Sequence, residues 1–303
     1  MKEAKERTLS TNLEFTEEQR RVVYHEEGPA LVLAVPGAGK TTTLLARTAR
    51  LIVERRVEPE RIMTVTFSRE SARDLRSRFE SRFNLDEHEG LKKAKFSTIH
   101  SMAYSIIREE YPQMNVDGIS VFTDFLKEEG ITLDEDDNLG VVRLYDFLSD
   151  EGLSTKQLSE DDLRFYLKFN CVNITQLMVK YEKYKSKNNY INFNDQLNYC
   201  LDILKDKKRR VKYQAKYDFI QVDEYQDVSK IQYDIIKLLA GTNGNLLCIG
   251  DIDQSIMSFR GVDINLLLGF PKAFKKAEVF NMSANFRSAP EIVNVASNVI
   301  SRN

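Results

Sequence analysis

Six short apolar runs recur along the chain, each closed by a polar turn and followed by text of helical period. They are ALVLAV (30–35), RIMTVTF (61–67), KFSTI (95–99), YDFIQV (217–222), NLLCIG (245–250) and AEVFNM (277–282). Runs without polar alternation suit strands buried on both faces, the condition of a parallel sheet with helices on each side. The predicted fold class is therefore α/β. In such sheets ligands sit beyond the carboxyl ends of the strands. The polar motifs PGAGK, SRES, HSM, DEYQD, DIDQS and NFRS all fall there.

Between 111 and 195 the pattern changes. Apolar runs give way to acidic and helical text such as TDFLKEEG, LSEDDLRFYLKF and QLMVKYEKYKSK. This stretch is predicted to be a mostly helical insertion, with Ser159 and Asp162 as a helix-start pair.

Composition narrows the chemistry. With 303 residues, two domains are the natural expectation. A net charge of −2 gives no overall basic surplus, so any nucleic-acid site must be a local patch. Cys171, Cys200 and Cys248 form no CxxC pair, and His25, His88 and His100 have no ligand spacing. The thiols are expected to be buried and free in a reducing cytoplasm. No apolar run approaches the ~20 residues of a membrane span, and the charged N-terminus lacks the apolar core of a secretory signal.

AVPGAGKTT (34–42) follows a predicted strand and opens a helix. Its GxGKT core is Gly37, Ala38, Gly39, Lys40 and Thr41; Ala34 stands where the general phosphate-loop pattern begins with glycine. Glycines let backbone N–H groups turn toward phosphate oxygens, and the helix N-terminus adds positive potential. Lys40 would reach the β and γ phosphates, and Thr41 would hold Mg²⁺. Pro36 through Thr42 form the nucleotide-binding stretch. FIQVDEYQD (219–227) ends a strand in paired acids. Asp223 is placed to bind Mg²⁺ through water and Glu224 to deprotonate an attacking water, since the metal occupies one acid and hydrolysis needs another. The plainer alternative is that these acids start a helix. Asp227 is assigned to a structural ion pair.

Together these motifs resemble the UvrD/Rep/PcrA family of superfamily 1 DNA helicases. The resemblance runs from LEFTEEQRRVV to NFRS through VTFSRESARDLRSRF, STIHSMAYSIIR, YINFNDQL, DEYQD and GDIDQSIMSFRG, in the family's order. It implies a RecA-like P-loop domain, ATP and Mg²⁺ as ligands, and single-stranded DNA as partner. Single/double-strand junctions and DNA-repair or replication proteins would be partners of a full-length protein. Gln19 matches the residue that reads adenine, although Thr16-x-x-Gln19 is also a capping box. Gln254 matches the γ-phosphate sensor, Arg260 the arginine that links it to the nucleotide, Arg287 an arginine finger, and Phe286 the aromatic that stacks on the base. Thr42 replaces an arginine usual after GKT.

For single-stranded DNA the family stacks bases on aromatic rings, worth ~1–3 kcal/mol per base. The matching residues are Phe67, Phe193, Met257 (often tyrosine in the family) and Phe259, with Thr66, Thr98 and His100 along the backbone. Phe67 and Phe193 read equally as core, and His100 as a helix start.

The expected organisation is a first RecA-like domain at 1–110 and 196–280, the insertion at 111–195, and the opening of a second domain at 281–303. On that layout Arg287 lacks the domain that would aim it, and the chain alone is expected to unwind DNA weakly or not at all. An arginine finger is worth ~10³–10⁵ in rate. The alternatives are an ATP-gated single-strand binder without turnover, or a P-loop ATPase of another class.

Overall fold

The computed structural model describes residues 13–84, 88–116, 119–130, 174–191, 195–241, 244–255 and 264–300. Its strands are β1 (Ala30–Ala34), β2 (Ile62–Thr66), β3 (Phe96–Thr98), β4 (Asn115–Val116), β5 (Tyr190–Ile191), β6 (Phe219–Val222), β7 (Asn245–Gly250) and β8 (Glu278–Met282). The longer helices are α1 (Glu17–Val23), α2 (Lys40–Val53), α3 (Arg69–Arg82), α4 (Ile99–Glu110), α5 (Ile119–Glu128), α6 (Ile174–Asn188), α7 (Asp195–Lys205), α8 (Lys207–Gln214), α9 (Lys230–Ala240) and α10 (Pro290–Ile300). Each of the six apolar runs contains a strand. Cys171, Ser159, Asp162, Phe193, Met257, Phe259 and Arg260 lie outside the described residues.

The chain divides into two compact units, one of residues 1–102 and 204–303, the other of 103–203. The second unit is wider than the 111–195 expected from the text. Loss of the strand pattern marks where strands stop, whereas α4 and α7 carry the helical unit past those limits.

The first unit is built on one six-stranded sheet in the order β3-β2-β6-β7-β1-β8. Every neighbouring pair is parallel. All residues of β2 and β6 are buried. Successive side chains point to opposite faces, so both faces of these strands are covered. β1 lies between β7 and β8, with Val32 opposite both Ile249 and Phe280. The sixth strand, AEVFNM, belongs to this sheet, and Met282 still pairs with Ala34.

A polar network fixes α2 on the sheet. Arg47 is 1% exposed; it donates to Gln221 Oε1 at 3.1 Å and to the His25 carbonyl at 3.2 Å. Gln221 in turn donates to Thr48 at 2.8 Å and Thr64 at 3.0 Å. Burial lowers the Arg47 guanidinium to about 10, which leaves it charged at neutral pH. Both terminal nitrogens of the guanidinium are engaged, while Nε has no hydrogen-bond partner; these bonds hold the helix that follows the phosphate loop at a fixed height over β6 and β2.

Among its described residues the second unit is helical apart from short turns and the parallel pair β4–β5. Its centre is aromatic: Phe122 and Phe125 lie 5.0 and 5.2 Å from the Tyr181 ring. Cys200 and Cys248 are free and buried, and burial pushes the Cys200 thiol up to about 12. Among the described residues no helix is long and apolar enough to cross a membrane.

Candidate nucleotide site

The phosphate loop leaves β1 and turns on two glycines of positive φ, Gly37 at 74° and Gly39 at 83°. A Cβ at Gly39 would lie 2.7 Å from Gln19 Nε2, so besides the positive φ a larger residue there would displace the Gln19 carboxamide from the Ala38 carbonyl. Three loop carbonyls are held from outside. Asn285 Nδ2 donates to Pro36 O at 2.6 Å, Phe286 N to Gly37 O at 3.0 Å, and Gln19 Nε2 to Ala38 O at 2.9 Å. A planar trans peptide aims its N–H away from its carbonyl, so these contacts turn the Gly37 and Gly39 N–H groups to the opposite side of the loop. Gln19 also completes the capping box, accepting from Thr16 N at 3.0 Å while its own N–H donates to Thr16 Oγ1 at 3.2 Å. The carboxamide read as an adenine contact, a cap or both caps α1 here and ties down the loop.

The start of α2 is open. α1, α3 and α8 each begin under a side-chain cap, whereas the N-cap of α2, Gly39, has none. Lys40, the first residue of α2, is buried and its Nζ makes no hydrogen bond. Nζ lies 3.3 Å from Glu224 Oε2 and 3.9 Å from Asp251 Oδ2. An uncapped helix start beside a buried ammonium without a hydrogen-bond partner suits a phosphate.

The acids arrive from β6 and β7. Asp223 is 4% exposed, and burial, reinforced by Glu224, pushes its carboxyl up to about 7. Glu224 adopts a left-handed backbone, φ 50° and ψ 47°, a conformation costing ~1 kcal/mol or more for a residue with a Cβ. Gln226 holds it there. Gln226 is 3% exposed; its Nε2 donates to Glu224 Oε2 at 2.9 Å and its Oε1 accepts from Asp251 N at 3.0 Å. One carboxamide thus joins the ends of β6 and β7. Burial also raises Asp251, whose Oδ2 has no hydrogen-bond partner. Asp227 makes no ion pair among the described residues, which corrects its assignment to one; burial raises its carboxyl. Gln254 sits half-buried one turn beyond Asp251, donating its backbone N–H to the Asp251 carbonyl at 3.3 Å.

A family profile for the UvrD/REP helicase N-terminal domain matches residues 15–275. The chain belongs to the UvrD/REP helicase family. A probable DNA helicase II homolog of Rickettsia conorii is 33% identical over 306 residues, covering 94% of this chain and 44% of that protein. The ATP-dependent DNA helicase PcrA of Staphylococcus epidermidis is 31% identical over 297 residues, covering 94% and 40%. The chain therefore spans less than half the length of these relatives. The Pif1 helicase structure from Candida albicans aligns over 95% of this chain and 44% of its own at 13% identity, with a TM-score of 0.38.

Within this UvrD/REP domain the remaining expected residues are placed as follows. Thr41 and Thr42 are half-buried at the start of α2, and Thr42 Oγ1 accepts from Arg82 Nη1 at 2.9 Å. An arginine thus reaches this position from the end of α3 and not from the loop itself. Phe286 and Arg287 are exposed. Thr66 is fully buried and its hydroxyl has no partner. Thr98 caps α4, accepting from Ser101 N at 3.1 Å. Phe67 is half-buried. Burial, with Arg69 nearby, lowers His100 to about 4, so it is neutral at physiological pH. Sequence reasoning missed Gln226, Asp251, Asn285 and the Arg47 network. The visible signal was Gln221, a polar residue inside an otherwise apolar strand.

Proposed function

We propose that the chain binds ATP with Mg²⁺ at the carboxyl ends of β1, β6 and β7. We further propose that it hydrolyses ATP to drive movement on single-stranded DNA, as the N-terminal part of a UvrD-type helicase. One observation carries this: Lys40 is a buried ammonium without a hydrogen-bond partner, at an uncapped helix start beside two carboxyls, those of Glu224 and Asp251. In the empty site Glu224 neutralises it. A triphosphate offers Lys40 stronger, charge-assisted acceptors, releasing Glu224 to orient and deprotonate a water. Thr41 and Asp223 would hold Mg²⁺, which supplies positive charge to the β and γ oxygens. Gln254 follows β7 at the point where a γ-phosphate could be sensed. The family relation supports single-stranded DNA, strand junctions and repair or replication proteins as partners, and the free thiols Cys200 and Cys248 suit a cytoplasmic setting.

The test is titration of a fluorescent ATP analogue into wild type and Lys40→Ala. A loss of about 100-fold is expected, since charge-assisted hydrogen bonds are worth ~1.5–3 kcal/mol each; equal affinities sink the proposal. The Lys40–Glu224 contact also favours a second reading, binding without turnover. ATPase rates with single-stranded DNA decide between them: turnover that drops in Glu224→Gln supports hydrolysis, and equal background rates support a binding module.

A further inference from the structure

Arg287 was expected to lack the second domain that would aim it; within the first unit, its backbone N–H is held by Asn285, which is bonded to the phosphate loop. Asn285 is central to this. Its Nδ2 donates to Pro36 O at 2.6 Å, while its Oδ1 accepts from Arg287 N at 2.8 Å and from Ser288 N at 2.9 Å. Phe286 N donates to Gly37 O at 3.0 Å. A Cβ built on Gly37 would lie 2.8 Å from Arg287 Cβ and 2.8 Å from Asn285 Oδ1, so loop and segment are in contact with no space between them. Two further ties frame the contact: Val35 N donates to Met282 O at 3.0 Å, and Glu18 accepts from both Ser283 N and Ser283 Oγ at 2.8 Å.

We propose that Asn285 is a positioning residue that locks the phosphate loop to the Arg287 backbone, so that the loop itself sets where the guanidinium can reach. The proposal rests on the nucleotide reading above. Asn285 is suited because a carboxamide donates and accepts at once. The acceptor shapes the turn that carries Arg287, and the donor anchors that turn to the loop. A movement of Pro36 and Gly37 as phosphate enters is transmitted through three hydrogen bonds and a tight steric contact. The arginine would then respond to the number of phosphates bound.

The readout is the ratio of ATP to ADP affinity, measured with fluorescent analogues of each and Mg²⁺ on the 303-residue chain. Arg287→Ala is expected to lower the ratio by about tenfold, the value of one hydrogen bond to a charged group. Asn285→Ala should lower it by a similar factor, and the double variant no further than Arg287→Ala alone. Asn285→Asp keeps the turn acceptor and loses the donor. A turn-forming role alone predicts an unchanged ratio there, whereas the lock predicts the same fall, absent in the Arg287→Ala background. Thermal melting of each variant verifies that it is folded. Additive effects, an unchanged ratio in Asn285→Ala, or an unchanged ratio in Arg287→Ala would each overturn the proposal. If Lys40→Ala binds both nucleotides as wild type does, the nucleotide reading fails instead.

Discussion

Two buried lysines in this chain each stand between two carboxylates, and they differ in one respect. Lys185, in the helical unit, has a side chain only 3% exposed; it donates to Asp195 at 2.6 Å, with Glu182 at 3.1 Å and the Tyr181 ring 5.5 Å away. Lys40, in the sheet unit, has a side chain 10% exposed, with Glu224 at 3.3 Å and Asp251 at 3.9 Å, yet it makes no hydrogen bond. Burial and acidic neighbours are common to both, so neither feature marks a ligand site. What separates them is whether the ammonium's donors are used. A satisfied buried pair holds a fold together, while an unsatisfied one is a cost that a ligand can remove.

Opposite outcomes at the two lysines are the strongest check. Lys185→Met should destabilise the protein by ~3–5 kcal/mol, because removing one member of a buried pair strands the other. The folded fraction should still bind nucleotide normally. Lys40→Met should lose triphosphate affinity by about 100-fold while shifting the stability of the empty protein by less than ~1 kcal/mol. Denaturant melts and nucleotide titrations on the same samples measure both. A stability loss at Lys40 equal to that at Lys185 would erase the distinction.

A second check uses the acid beside Lys40. Burial and Glu224 hold Asp223 near 7, against an ordinary value of 3.8. Between those pH values the folded chain keeps a proton that the unfolded chain has released. The folded state binds more protons, so this group's contribution makes stability fall as pH rises from about 4 to about 7. Asp223→Asn removes the penalty and should stabilise the empty protein at pH 8 by ~2–4 kcal/mol, with little change at pH 4. With Mg²⁺ and nucleotide present the order should reverse, because the variant cannot supply the carboxylate. Melts in chelator and in Mg²⁺ with nucleotide give the comparison.

A third check concerns how the site holds its strained acid. Gln226→Leu leaves the buried Asp251 N–H without its acceptor and Glu224 without its donor. The expected cost is ~1–3 kcal/mol, together with slower turnover if Glu224 is the base. Gly250→Ala should act through the same contact, since a Cβ there would lie 2.8 Å from Gln226 Oε1.

The strands and the site's location were legible in the sequence because each depends on local pattern. An unbroken apolar run such as NLLCIG codes for a strand covered on both faces, and a glycine-rich turn after it codes for a phosphate loop. The braces were not legible. Asn285 and Pro36 are 249 positions apart, and Arg47 and Gln221 are 174 apart. A polar side chain advertises that it needs a partner, not which one, so Asn285 passed as part of NFRS and Gln226 as filler in DEYQD. The ties beside Arg287 were hidden in the same way: the Asn285 side chain donates to Pro36 O and Phe286 N to Gly37 O, each across 249 positions of sequence.

The smallest effect separates the two acids around Lys185. Asp195 is hydrogen-bonded to the ammonium and its side chain is 23% exposed; Glu182 reaches Lys185 at i,i+3 spacing with a side chain 57% exposed, yet desolvation of its carboxyl and the nearby Asp195 raise it to about 7, so it is only partly ionised at neutral pH. An exposed ion pair is screened by water and salt and is worth ~0–1 kcal/mol. Glu182→Gln should therefore cost less than ~0.5 kcal/mol, and raising salt from ~0.05 to ~0.5 M should remove most of that. Asp195→Asn should cost more and respond less to salt, because its bond to Lys185 is shielded. A cost above ~2 kcal/mol at Glu182 would mean that Asp195 alone does not satisfy Lys185. The helical unit's lysine would then be as dependent on its surroundings as Lys40, and an unmet donor would no longer distinguish a binding site from a structural pair.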